Sequence, residues 1–247
     1  LYSDIHEIIF VHQRKAAGSS VKALFHNAMP NFNDGVLDPD WNQTNNRVQN
    51  YYKFSVIRNP WDRFISGWKY LKSTRNRTIE DVLLNLPKEN LIKNILHDQS
   101  LGARLAYTKE LTARTLSRFK ARSINCLTPD NVKIPHNQGH DYRHITRQQF
   151  ESLYYANGQL AVDKVIFLED LDSGLDEIFR ECKSRNLIKP KVKLNQKRHE
   201  DDYRTYFNDK TLEIFNSIYA QDISIWGYRF EDGPGVLPSL SRNYERI

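Results

Sequence analysis

Residues 8–22 read IIFVHQRKAAGSSVK, and their order predicts a strand–turn–helix unit of an α/β fold. Ile8-Ile9-Phe10-Val11 is an unbroken apolar run of strand length, as expected of a strand covered on both faces in a parallel sheet. His12 to Gly18 is a polar loop. From Ser19 the spacing turns helical, with Val21, Leu24, Phe25 and Ala28 on one face and Pro30 as a stop. Such a unit aims the first N–H groups of a helix, and its positive dipole end, at one point, which suits a phosphate. Arg14 and Lys15 add cations, Ser19 and Ser20 add donors, and Ala16, Ala17 and Gly18 are small enough for close backbone approach.

The logic recurs in residues 54–68, FSVIRNPWDRFISGW. Phe54-Ser55-Val56-Ile57 is a second buried strand, after which Asn59 stands as N-cap and Pro60 at the first helical position. The helix continues through Phe64, Ile65, Trp68 and Leu71. Arg58 leaves the strand end and Ser66 follows inside the helix, so guanidinium and hydroxyl are spaced to grip one phosphate together. Either unit alone also fits a capped helix behind a surface turn; two in one chain point to a nucleotide site. Neither is a GxxxxGK[ST] loop, since Lys15 precedes Gly18 and the chain contains no Gly-Lys pair, which speaks against a nucleoside-triphosphate kinase.

Outward from these units, Val165-Ile166-Phe167-Leu168 reads as a third strand, Gly174 to Cys182 as the start of a helix, and Asp209 to Asp222 as the last helix. Residues 31–50 form a polar excursion, 78–125 look mainly helical, and Pro129 to Arg143 is irregular. Strands separated by helices predict an α/β three-layer domain with a central, mainly parallel sheet flanked by helices. The expected organisation is one domain over residues 1–232 and a peripheral tail over 233–247.

Composition agrees and narrows the function. With 247 residues, 39% of them hydrophobic, the chain can build one core, and no run approaches the ~20 apolar residues of a membrane span. Two cysteines, Cys126 and Cys182, exclude a disulfide-rich scaffold and leave open whether they pair. The net charge of +6 calls for an anionic partner. Residues 11–79 hold eleven Lys or Arg against four Asp, so the whole excess surrounds the two phosphate units. A second basic stretch runs from Lys183 to Arg198. No helix-turn-helix, zinc-finger or ribonucleoprotein motif accompanies the charge, so nucleic acid is not the expected partner.

The two units together resemble the cofactor signatures of sulfotransferases that use 3′-phosphoadenosine 5′-phosphosulfate (PAPS), in their carbohydrate-type branch. HQRKAAGSS is similar to H-x-P-K-T-A-G-[ST]-S, with Arg14 in place of proline, and IRNPWDRFIS matches [VI]-R-[ND]-P-x-[DE]-R-x-x-S at every fixed position. DYRHITRQQF resembles an H-x-x-P-Q segment, with His144 and Gln148 in place and Arg147 for proline; VDKVIFLEDL gives Glu169, and the stretch from Leu194 to Tyr228 gives Asn195 and Tyr206. The resemblance covers about residues 7–230 and implies a P-loop-like domain that transfers a sulfuryl group to a hydroxyl or amine of an acceptor, expected to be a glycan. It implies that Lys15 stabilises the departing bridging oxygen, that Arg14, Ala17, Gly18, Ser19 and Ser20 bind the 5′-phosphate, and that Arg58 and Ser66 bind the 3′-phosphate. No metal is required by such chemistry, because positioning and cations near the leaving oxygen supply most of the rate.

Acceptor activation needs a general base. Residues 27–57 hold no histidine or glutamate, and the candidates are His144, His26 and Asp40, between which the sequence does not choose. His136, His140 and His144 stand at four-residue spacing, the pattern of a metallohydrolase site on a helix, but Pro135 and Gly139 interrupt any helix and no HExxH is present. A non-catalytic binder of anionic glycans is the other alternative, and Lys15 argues against it. The chain starts at Leu1 without an initiator Met and carries two N-x-[ST] sequons, at Asn42 and Asn76. The expectation is a Golgi-lumenal glycoprotein with an N-terminal anchor outside this sequence, the alternative being a cytoplasmic bacterial relative.

Overall fold

A computed structural model describes residues 1–28, 48–71, 74–84, 86, 143–155, 158–182, 187–190 and 202–238. They divide into two compact units, Leu1–Ser66 with Arg147–Ile247, and Gly67–Thr146. The first contains a four-stranded sheet, β1 (Tyr2–Ser3), β2 (Ile8–Val11), β3 (Tyr52–Ile57) and β4 (Lys164–Phe167), in that order across the sheet. β1 runs antiparallel to β2, and the β2–β3 and β3–β4 pairs are parallel. The three apolar runs are therefore the parallel strands of the sheet, as their unbroken hydrophobicity predicted. β1 is two residues long, too short for a periodic pattern to announce it.

Parallel pairing requires crossovers, and helices supply them. After β2 comes α1 (Gly18–Ala28), after β3 comes α2 (Pro60–Tyr70), and after β4 comes α5 (Leu171–Glu181). Phe25 of α1 packs its ring on Phe54 of β3 at 5.2 Å and on Phe179 of α5 at 5.3 Å, so both helices cover one sheet face. Ile8, Phe10, Phe54, Val56 and Ile166 are the strand side of that core. By alternation Ile9, Val11, Ile57, Val165 and Phe167 face the other way, and they are equally buried. Both faces are thus covered, as a parallel sheet demands.

Two helices differ most from the sequence reading. α5 begins at Leu171 rather than Gly174, because a 3-10 turn over Leu168–Asp170 leads directly into it and Asp172 in its first turn favours the helix N-terminus. Gly174 instead lies inside the helix, against Ile166 of β4. The last helix is two, α6 (Asp209–Ile218) and α7 (Ala220–Trp226), parted at Tyr219. The break lets Tyr219 stack on Phe215 at 4.3 Å and turns Asp222 inward, where it is fully buried.

In the second unit, α3 (Ile79–Leu84) and the short α4 (Arg143–Thr146) are described together with the last turn of α2. Trp68 Nε1 donates to the Arg77 carbonyl at 3.1 Å, and Thr74 Oγ1 to that of Trp68 at 2.9 Å. Most of the expected helical stretch 78–125, the excursion through residue 47, the segment 129–142, Cys126 and tail residues 239–247 lie outside the described residues. No helix among the described residues is long and apolar enough to cross a membrane.

Candidate active site

Register places the site. Ile57 and Phe167 are partners at the C-terminal ends of β3 and β4, and Val11 ends β2 opposite Ser55, whose hydroxyl donates to the Val11 carbonyl at 2.7 Å. The loops that follow all three strands therefore leave the same edge, where α/β sheets bind ligands.

In the first loop, Lys15 (φ 65°) and Ala17 (φ 55°) adopt the left-handed conformation that non-glycine residues avoid. Such residues turn successive N–H groups to one side and form a concavity suited to anions. The loop is pinned from beneath. Ala16 is fully buried in the core, and Gln13 Nε2 donates to Ser152 Oγ at 2.6 Å. The Ala17 carbonyl accepts from Ser20 and Val21, which starts α1 and leaves the Gly18 and Ser19 N–H groups as the helix's first donors. The His12 ring lies over Gly18, so a Cβ there would fall inside the imidazole. Any larger residue at this position must displace that ring. Arg14, Lys15 and Ser20 are half-buried and Ser19 is exposed.

The second loop brings Arg58 to the first. Its Nη1 donates to the Lys15 carbonyl at 3.0 Å, while Nε and Nη2 reach Asp62 Oδ2 at 2.8 and 2.7 Å. Asp62, one turn into α2, thereby fixes the guanidinium plane. Ser66 follows one turn later on the same side of the helix and is buried. Asn59 Oδ1 accepts from the N–H groups of Trp61 and Asp62 at 3.1 and 3.2 Å, the N-cap its position predicted. Burial, and then the nearby Arg58 charge, pull the Lys15 ammonium down to about 8. Two cations converging at a strained, donor-rich turn repel each other until an anion joins them.

The third strand end supplies Glu169. Its Oε1 accepts from the Asn59 N–H at 3.3 Å and its Oε2 from the Tyr228 hydroxyl at 2.8 Å. Burial pushes its carboxyl above the usual range, against the pull of these hydrogen bonds and of Arg58. Tyr203 contacts this region, accepting from Asn59 Nδ2 at 3.2 Å and donating to the Phe230 carbonyl at 3.0 Å.

The cofactor-type residues Arg14, Lys15, Ala17, Gly18, Ser19, Ser20, Arg58 and Ser66 thus all belong to the first unit, and Arg58 ties the two loops together. His26 is exposed in the last turn of α1, about 12 Å along the axis from Gly18. His144 belongs to the second unit, its ring 4.8 Å from that of Tyr70. Asp40, Asn195, His136 and His140 lie outside the described residues, and among those described no cluster of His, Cys, Asp or Glu is arranged to hold a metal. Sequence reasoning assigned no role to Asp62, although it sits inside the quoted motif, and passed over Gln149 in favour of its neighbour Gln148. The spacing of Arg58 and Asp62, one helical turn, was the available signal for the first; nothing local marked the second.

Among known families, a model described as the sulfotransferase family matches residues 1–229, nearly the whole chain. No curated protein and no solved structure matches it.

Proposed function

We infer, since this chain belongs to the sulfotransferase family, that it transfers a sulfuryl group from PAPS to a hydroxyl or amine of a carbohydrate acceptor. The observation that carries the reading is the Arg58 guanidinium on the Lys15 carbonyl, which joins two cationic, N–H-rich strand ends into one receptor for a doubly phosphorylated nucleotide. The donor set fits: a left-handed turn, helix-start N–H groups, hydroxyls, and a lysine whose charge is disfavoured until an anion arrives.

PAPS supplies the activated sulfate and, on transfer, a leaving phosphate that gathers negative charge. In this proposal Lys15 neutralises that charge at the bridging oxygen. Arg14, Ala17, Gly18, Ser19 and Ser20 hold the 5′-phosphate, and Arg58 with Ser66 holds the 3′-phosphate. Two anchored phosphates fix the line of attack, which is worth more than any single contact. His144 or Asp40 takes the acceptor proton, ahead of His26, whose position along α1 separates it from the phosphate turn. A Golgi-lumenal setting and glycosylation of Asn76, which is exposed, belong to the same proposal.

The test is an acceptor screen with labelled PAPS. Lys15→Ala and Arg58→Ala are each expected to lower transfer by at least about a hundredfold. Transfer that persisted in both variants would overturn the mechanism.

A further inference from the structure

The turn that carries residues 149–152 reaches both phosphate loops with side chains. Gln149 is fully buried, and its carboxamide holds the Arg58 backbone on both sides. Oε1 accepts from the Arg58 N–H at 2.9 Å, and Nε2 donates to the Arg58 carbonyl at 2.9 Å. This pairing continues a strand-like ladder one residue past the end of β3, where the sheet itself offers no partner.

Gln149 is in turn fixed from behind. Its N–H donates to Asp222 Oδ2 at 2.8 Å, and the Phe150 N–H donates to Oδ1 at 2.9 Å. Asp222 is fully buried, and the charge of nearby Arg63 offsets part of its desolvation. On the other side, Ser152 Oγ donates to the Gln149 carbonyl at 3.2 Å and accepts from Gln13 of the first loop at 2.6 Å. A polar chain, half-buried at Ser152, therefore runs from Gln13 through Ser152 and Gln149 to Arg58.

We propose that Gln149 and Ser152 are positioning residues of the nucleotide site: Gln149 aims Arg58 at the 3′-phosphate, and Ser152 sets the 5′-phosphate turn through Gln13. The proposal rests on the reading above that Arg58 receives the 3′-phosphate. Neither side chain touches the reacting atoms. Each acts by holding a loop whose own conformation is strained or unsupported, so its loss appears in nucleotide affinity and KM before kcat.

The experiment compares two probes by calorimetry, 3′-phosphoadenosine 5′-phosphate and adenosine 5′-phosphate, which differ only in the 3′-phosphate. Gln149→Met is expected to weaken the bisphosphate about tenfold while the monophosphate stays within about twofold. Ser152→Ala is expected to weaken both probes alike, since they share the 5′-phosphate. Gln149→Glu keeps the volume and the acceptor but can donate to the Arg58 carbonyl only when protonated. Its bisphosphate affinity relative to the parent protein should therefore recover as pH falls, whereas that of Gln149→Met should not. Should Gln149→Met fail to fold, the other two variants carry the test. Equal losses for both probes in a Gln149 variant, or no loss, overturn the proposal. If the parent protein shows no preference for the bisphosphate, it is the Arg58 assignment that has failed, and the positioning role falls with it.

Discussion

Lys15 combines a left-handed backbone with partial burial and a cation for a neighbour, and the last two make its charge costlier. With the ammonium brought down to about 8, the free protein carries the charge at neutral pH and loses it a little above. Affinity for 3′-phosphoadenosine 5′-phosphate should be level up to about pH 8 and then fall about tenfold per unit. Lys15→Arg, which does not titrate there, should remove that bend; a bend retained in the arginine variant would assign it to another group. The sign for stability is the reverse. A lysine lowered from 10.5 to about 8 penalises the folded state below the lower value, and the penalty is relieved as pH rises between the two. Sequence disclosed the residue and its cationic neighbours. It did not disclose the backbone strain, since nothing in Arg-Lys-Ala-Ala demands a positive φ.

At the scale of elements, the strand and helix identities were legible because their causes are local. Apolar runs bounded by polar turns, the Asn-Pro start of α2 and the spacing of Val21, Leu24 and Phe25 act over a few residues. Boundaries were less legible where tertiary packing sets them. Gly174 looked like the opening of a helix, yet it lies within α5 because only a residue without a side chain lets that helix sit against β4. A Cβ there would meet Ile166 Cγ2 at 2.5 Å. Gly174→Ala should therefore destabilise the protein by up to about 2 kcal/mol, the overpacking cost of ~1–3 less the ~1 that alanine gains in a helix. Urea denaturation measures it; a higher midpoint would mean that α5 shifts freely over the sheet.

At the scale of the whole molecule, the C-terminal third of the chain covers the start of α2. Trp61, almost fully buried, packs against Tyr203, Phe215 and Phe230, with ring centroids 6.3, 5.9 and 5.5 Å away, and donates to Asn216 Oδ1 at 3.0 Å. Trp61→Ala should cost about 3–5 kcal/mol and unsettle Arg58 through α2, which thermal unfolding monitored by circular dichroism would record. A loss below about 1 kcal/mol would mean that the aromatic cluster closes over the gap. What the sequence determined by itself was the alternation of strand and helix and the two phosphate units, since each arises from periodicity, caps and charges within some fifteen residues. What only the tertiary structure decided was the support behind them. Gln149 meets Arg58 across 91 positions, Ser152 meets Gln13 across 139, and Asp222 meets Gln149 across 73. Hydrogen bonds of that range leave no trace in local spacing, because any glutamine, serine or aspartate is equally polar in the chain. Only the folded sheet edge selects these three, by bringing them within reach of partners far away in the chain.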